Sequence, residues 1–238
     1  MPTHFTPDSL KFLRGLRRHN DRDWFNPRKS IYESELRAPM LALIAEVNDA
    51  MLAFAPLHIR RPEKTMLRIY RDTRFSASKL PYKTHLSAWW LHHYMPKTSG
   101  AGFYMHISAD ELVIAAGVFM PTPEQLLAIR RHLVTHHASL RRLLAGKTLR
   151  RLLPEFETNS LSRPPKGFCA DHPAIDLVRA RYWGLSATLP AAAALTPKLL
   201  REVVTRFRAA APVVDWLNAP LTSDLQPAHR HPVFPLRG

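Results

Sequence analysis

The chain has 238 residues, enough for one domain with a sizeable core, and its 34 Lys+Arg against 19 Asp+Glu give a formal charge of +15. Hydrophobic residues at 46% and charged residues at 22% exclude wholesale disorder, and a single cysteine excludes a disulfide framework or a Cys-built zinc or iron–sulfur centre. Eight glycines against 21 prolines leave little material for glycine-rich nucleotide loops. The opening residues carry no apolar run with a small-residue cleavage site, and the longest apolar runs, such as 112–120, are too short for a bilayer. Together with the lone thiol, these features point to a cytoplasmic, non-membrane protein.

In chain order, Thr6-Pro7-Asp8 opens a first helix carrying Leu10, Leu13 and Leu16, which ends near His19-Asn20-Asp21. Leu36, Met40, Leu43, Ile44, Val47 and Met51 fall at helical spacing, so a helix is expected over about 28–54, kinked at Pro39. Residues 66–75 alternate and are rich in strand formers, and 83–94 reads as a second strand. Residues 103–108 and 112–119 flank Ala109-Asp110-Glu111 as a hairpin. Thr122-Pro123-Glu124 caps the next helix. Short helices follow at 138–144 and 173–181, separated by a Pro-rich loop at 162–167, and a last helix runs from Pro197 to about Trp216. The expected fold is therefore α+β: an antiparallel sheet of four or more strands within about 65–119, flanked by N- and C-terminal helices. One domain over 1–221 is expected, with a Pro/His-rich flexible tail over 222–238.

Several motifs fail on inspection. Gly146-Lys147-Thr148 has Arg141 where a phosphate loop needs glycine, and Gly100-Ala101-Gly102 has Met105 where a dinucleotide fingerprint needs its third. His132 and His136 have a metal-ligand spacing, but Leu133 stands where the catalytic Glu of a zinc protease belongs. Cys169 reads as a semi-buried small hydrophobe, because one lysine nearby is a weak reason for a thiolate. No metal or cofactor is expected.

The dense constellation lies between Arg68 and His85, where five Lys/Arg meet one Asp and three aromatics. On a regular strand, Arg68, Tyr70, Asp72 and Arg74 would share one face, and Leu67 and Ile69 would share the core face. Tyr104, His106 and Ser108 alternate against Phe103, Met105 and Ile107, and His85 pairs with Ser87 in parity. Candidate binding residues are therefore Arg68, Tyr70, Arg71, Asp72, Arg74, Lys79, Tyr82, Lys83, His85, Tyr104 and His106. Guanidiniums, lysines and phenols in this density suit phosphate or carboxylate. The same Arg-Asp-Thr-Arg run also reads as an ion-paired strand end with no ligand. A second basic stretch, Arg130-Arg131, Arg141-Arg142, Lys147 and Arg150-Arg151, has no acid from Gln125 through Pro154, and reads first as a solvated helix face.

Asp21-Arg22-Asp23-Trp24-Phe25, residues 68–76 with Lys79-x-Pro81-Tyr82-Lys83-Thr84-His85, and Gly102-Phe103-Tyr104-x-His106 together resemble the family catalogued as domain of unknown function 2461. So do residues 120–130, Pro165-Lys166-Gly167-Phe168 with Asp171-His172-Pro173, and residues 207–212. The resemblance spans about 5–221 and implies cytosolic-type, mostly bacterial proteins with no assigned activity or cofactor. It also implies a Gly-Gly run in the second hairpin strand, where this chain has Ala115-Ala116-Gly117.

The residues favour a basic anion-binding module, for nucleic acid or a phosphate-bearing ligand, through the 68–85 segment. Two alternatives stand beside it. One is an enzyme on a small phosphorylated or carboxylated substrate, with an arginine clamp and Asp72, His85 or His106 in proton transfer. The other is a basic protein-interaction domain.

Overall fold

The computed structural model describes residues 4–74, 76–95 and 99–222. The tail expected over 222–238 falls outside them except for Thr222, the last residue of the final helix.

Helix α1 (Pro7–Arg18) starts at a capping box in which Thr6 and Ser9 exchange side-chain and backbone bonds. It is followed by α2 (Arg22–Phe25), capped by the Asp21 carboxylate on the Trp24 N–H, and by α3 (Lys29–Tyr32). The expected break at Pro39 takes the form of a wide π turn over Glu33–Arg37, after which α4 runs from Ala38 to Met51. The physical reason is specific. Proline offers no N–H to the carbonyl of Glu35, four residues back, and that carbonyl instead accepts the buried Ser9 hydroxyl at 2.7 Å. Ser9→Ala should therefore cost about 1–2 kcal/mol in urea unfolding. A loss below about 0.5 kcal/mol would show that the wide turn satisfies the carbonyl by itself.

After α5 (Pro62–Thr65) comes the sheet. Its strands are β1 (Met66–Leu67), β2 (His85–Trp90), β3 (Gly102–Ser108), β4 (Glu111–Val118), β5 (Glu155–Glu157) and β6 (Trp183–Pro190). They form one antiparallel six-stranded sheet in the order β1-β2-β3-β4-β6-β5. The hairpin lies where its alternation put it. Helix α6 (Pro123–Leu144) absorbs the separate helix expected at 138–144, and α7 (Lys147–Leu152) and α8 (Ile175–Val178) follow. Helix α9 extends from Leu199 to Thr222, past the expected end at Trp216. It tolerates Pro212 because that residue and Arg208, whose carbonyl loses its partner, are exposed to water.

One sheet face carries Leu86, Ala88, Trp90, Phe103, Met105, Ile107, Leu112, Ile114 and Ala116, all buried in the main core with Leu43, Val47, Phe207 and Val214. The packing of α4 and α9 against this face follows from their stripes of Leu, Val and Phe. Buried asparagines lock the joints. Asn218 of α9 donates to the Ala101 carbonyl and accepts its N–H at 3.0 and 2.8 Å. Asn20, between α1 and α2, does the same for Tyr82 at 3.0 Å each way. An amide side chain has both a donor and an acceptor, so one residue replaces a missing strand neighbour.

Three sequence expectations need correction. The strand expected over 66–75 stops at Leu67; beyond it only Tyr70 and Tyr82 form a bridge, flanked by bonds from Arg71 N to Pro81 O and Lys83 N to Ile69 O. Pro81 has no N–H for the ladder, and the Asp72 carboxylate accepts the Arg74 N–H, which turns the chain. The common face of Arg68, Tyr70, Asp72 and Arg74 therefore does not form. Leu67, expected in the core, is registered with Ser87 on the opposite face. Cys169 is exposed rather than semi-buried.

Candidate anion-binding face

The second face of the sheet carries the chemistry. Register places Leu67, Ser87, His106, Val113 and Thr188 in one row across β1, β2, β3, β4 and β6. The next row is Trp89, Tyr104, Ala115, Ser186 and Glu155. A third holds three glycines in succession, Gly102, Gly117 and Gly184, with Glu157 beyond them. This face is only partly covered, and a groove of about 400 Å³ crosses it between Leu67 and Glu157.

At the β2–β3 end, His85 and His106 lie 4.9 Å apart between ring centres, with Tyr104 at 5.6 Å from His106. Burial, the neighbouring His106 and the Lys83 charge push His85 down to about 4. Burial also lowers His106, against the opposing pull of Glu111, whose carboxylate stands 3.5 Å from Nε2. Lys83 is lowered by burial and by the Arg68 charge, and burial raises the Tyr104 phenol. Near neutral pH the histidines are therefore uncharged, while Lys83 sits beside His85 and Arg68 beside Lys83. The buried Nδ1 of His106 has no hydrogen-bond partner, while the Ser87 hydroxyl and the Tyr104 phenol lie within reach of each other. An unpaired buried nitrogen, two uncharged imidazoles, a partly buried lysine and a neighbouring arginine thus meet at one place.

Of the eleven candidates, the fold brings Arg68, Lys83, His85, Tyr104 and His106 together. The others are engaged elsewhere. Arg74 holds the Asp72 carboxylate at 3.0 and 2.7 Å and keeps it down at about 2. Arg71 donates to the Ser76 and Ser78 hydroxyls, and Lys79 to the Thr73 carbonyl, so both brace the 72–80 loop. Tyr82 is buried and stacks on Phe25 at 4.2 Å, and Tyr70 packs edge-on against the same Phe25 ring. Asp72 is thus tied to Arg74 rather than to either histidine.

Trp89, Val113, Phe119, Met120, Glu157 and Ser186, which are not among the sequence candidates, also line the groove, as does Leu67, expected in the core. A signal existed for one strand: in 185–189, Leu, Ala and Leu alternate with Ser and Thr, the period of a half-buried strand. Trp89 shares the parity of His85 and Ser87 on β2. For Phe119 and Met120, which follow β4, nothing in the sequence indicates the direction of the chain after the strand.

The second basic stretch divides as well. Arg130 turns inward and donates to the Val178 and Ala180 carbonyls at 2.8 and 2.9 Å, while Arg141 pairs with Asp176 at 2.6 Å. Arg131, Arg142, Lys147, Arg150 and Arg151 remain exposed. His132 and His136 stack on each other with centroids 4.3 Å apart, and no set of three metal-capable side chains occurs among the described residues. No helix among them is long and apolar enough to cross a membrane.

A family model described as a conserved hypothetical protein (DUF2461) matches residues 8–216, and the chain belongs to that family. No curated protein matches it.

Proposed function

We propose that this member of the family is an anion-binding module that takes a phosphate-bearing ligand on the second sheet face. The phosphate is held by Lys83 and Arg68, with His85, His106 and Tyr104 as hydrogen-bonding groups. One observation carries the reading: partly buried Lys83, with exposed Arg68 beside it, and uncharged histidines converge near the buried, unpartnered Nδ1 of His106, at the end of an open aromatic groove. Burial strengthens each charge-assisted bond that an anion makes there, and the partnerless His106 nitrogen lowers the cost of filling the site.

The test is a salt-resolved titration of labelled single-stranded and duplex oligonucleotides, with sulfate and inorganic phosphate as competitors. Saturable binding that persists at about 0.15 M salt and is displaced by both small anions is expected. Binding lost well below that salt would reduce the charge to a diffuse attraction and overturn the reading.

The pH dependence has a definite sign. In the free protein His85 protonates only near pH 4, and a bound anion favours its protonated form. Binding then takes up a proton at pH values between the free and bound pKa. Sulfate affinity should rise as pH falls from 8 to 5, by at most about tenfold per unit for each histidine. Sulfate is the proper probe because its own charge stays constant over this range. A flat profile would place the anion away from the two histidines.

A further inference from the structure

We propose that the aromatic end of the groove is a nucleobase box, and that its occupant is a nucleotide whose base offers N–H donors. This rests on the anion-binding reading above, because the phosphate of that nucleotide is the anion of that site, held at its His106 side.

The box is built by register and by the glycine row. Trp89 and Tyr104 are direct cross-strand neighbours, and the next position across is Ala115, whose small side chain leaves space between larger ones. At Gly184 an added Cβ would stand 2.4 Å from the Phe119 ring, so Phe119 packs directly over β6. At Gly102 it would stand 3.3 Å from Nε1 of Trp89, which places that indole over β3. Three aromatic side chains therefore line a space floored by Ala115, with Leu67, Val113 and Met120 completing its apolar lining. Such a box favours a flat ring, since stacking area is gained without any polar group being stranded.

Two features narrow the ring to a base and join it to the anion site. The box row, Trp89 and Tyr104, is two residues along the strands from the row of Ser87 and His106. By strand rise this is about 7 Å, a span that one sugar bridges between the ring and a phosphate at His106, with His85 and Lys83 on its far side. At the far rim lies Glu157, one of whose oxygens accepts the Tyr182 hydroxyl at 3.1 Å, and beside it Ser186, whose hydroxyl donates to Glu155 at 2.9 Å. A carboxylate only accepts, so this rim suits an amino-bearing ring such as adenine or cytosine and disfavours the carbonyl at the corresponding edge of uracil. The groove is thus polarised, cationic at the phosphate end and acidic at the base end.

The experiment is isothermal titration calorimetry with AMP, CMP, UMP, inorganic phosphate and a short single-stranded oligonucleotide, on the intact chain, Trp89→Ala and Glu157→Gln. Both positions face solvent in part, and a thermal melt confirms that each variant is folded. AMP and CMP are expected to bind at least about tenfold tighter than phosphate, with UMP between. Trp89→Ala should erase the gain over phosphate, and Glu157→Gln should bring AMP to the level of UMP while leaving phosphate unchanged. An oligonucleotide no tighter than AMP assigns the box to free nucleotides; one more than tenfold tighter assigns it to a single strand, and either supports the box. Phosphate binding with no gain from any base overturns the box and leaves the anion site standing. Failure of phosphate, nucleotides and oligonucleotide alike overturns the anion site itself.

Discussion

Lys83→Glu is expected to weaken phosphate and oligonucleotide binding by about 100-fold or more, equivalent to about 2.7 kcal/mol. Lys83 is the partly buried cation of the cluster, and its charge is felt by His85 while Arg68 acts on it in turn. Reversing the charge removes an attraction and installs a repulsion at the same place, where burial limits screening by salt. Lys83→Gln should lose less, because it keeps a hydrogen-bond donor. On a single strand, loss of one phosphate contact should also reduce the salt slope by about 0.7. Arg71→Glu is the informative contrast. Its guanidinium is engaged by Ser76 and Ser78, so it should disturb the loop and leave phosphate affinity within about threefold. Equal losses at Lys83 and Arg71 would mean that the ligand is held by the loop and not by the sheet face.

The largest stability effect is expected at Gly117. Its φ of +133° is one that side-chain-bearing residues rarely adopt, and an added Cβ would come 2.1 Å from the backbone carbonyl oxygen of Trp183. That atom belongs to the neighbouring strand and has no flexible side chain with which to yield. Gly117→Ala should therefore cost about 3–5 kcal/mol in urea unfolding and lower the melting temperature by about 10 °C. Ala115→Gly, on the same strand and face, should cost only about 1 kcal/mol, since it deletes one methyl and loosens the chain. Near-equal effects would mean that β4 shifts to accept the new methyl. The close approach at Gly117 is to β6, so the glycine in this stretch serves strand packing. The alanines where the family resemblance implied Gly-Gly divide by strand parity: Ala115 faces the groove, whereas Ala116 is buried in the core.

Periodicity and capping alone determine much of this protein. Thr6 and Thr122 announce their helices because a hydroxyl before proline and an apolar repeat has a local use, the first free N–H groups of the helix. The hairpin of β3 and β4 is legible because alternation over seven and eight residues is itself a local signal. The same parity correctly set Tyr104, His106 and Ser108 against Phe103, Met105 and Ile107. Local rules failed where the decisive partner is distant in sequence. Pairing beyond the Tyr70–Tyr82 bridge stops because Pro81, on the far side of a loop, offers no donor to Arg71, a fact that Arg68-Ile69-Tyr70 does not contain. Strands β5 and β6 join a sheet formed more than thirty residues earlier, and so Glu157 and Ser186 reach a groove shared with Leu67 and Trp89. The sequence by itself determined the α+β class, the basic character and the density of anion-binding side chains. Only the tertiary structure decided which of those cations are spent on Asp72, Ser76, Ser78 and a carbonyl, and which remain beside the histidines. Charge is a property of composition, but the availability of a charge depends on which neighbours the folded chain brings within a hydrogen bond.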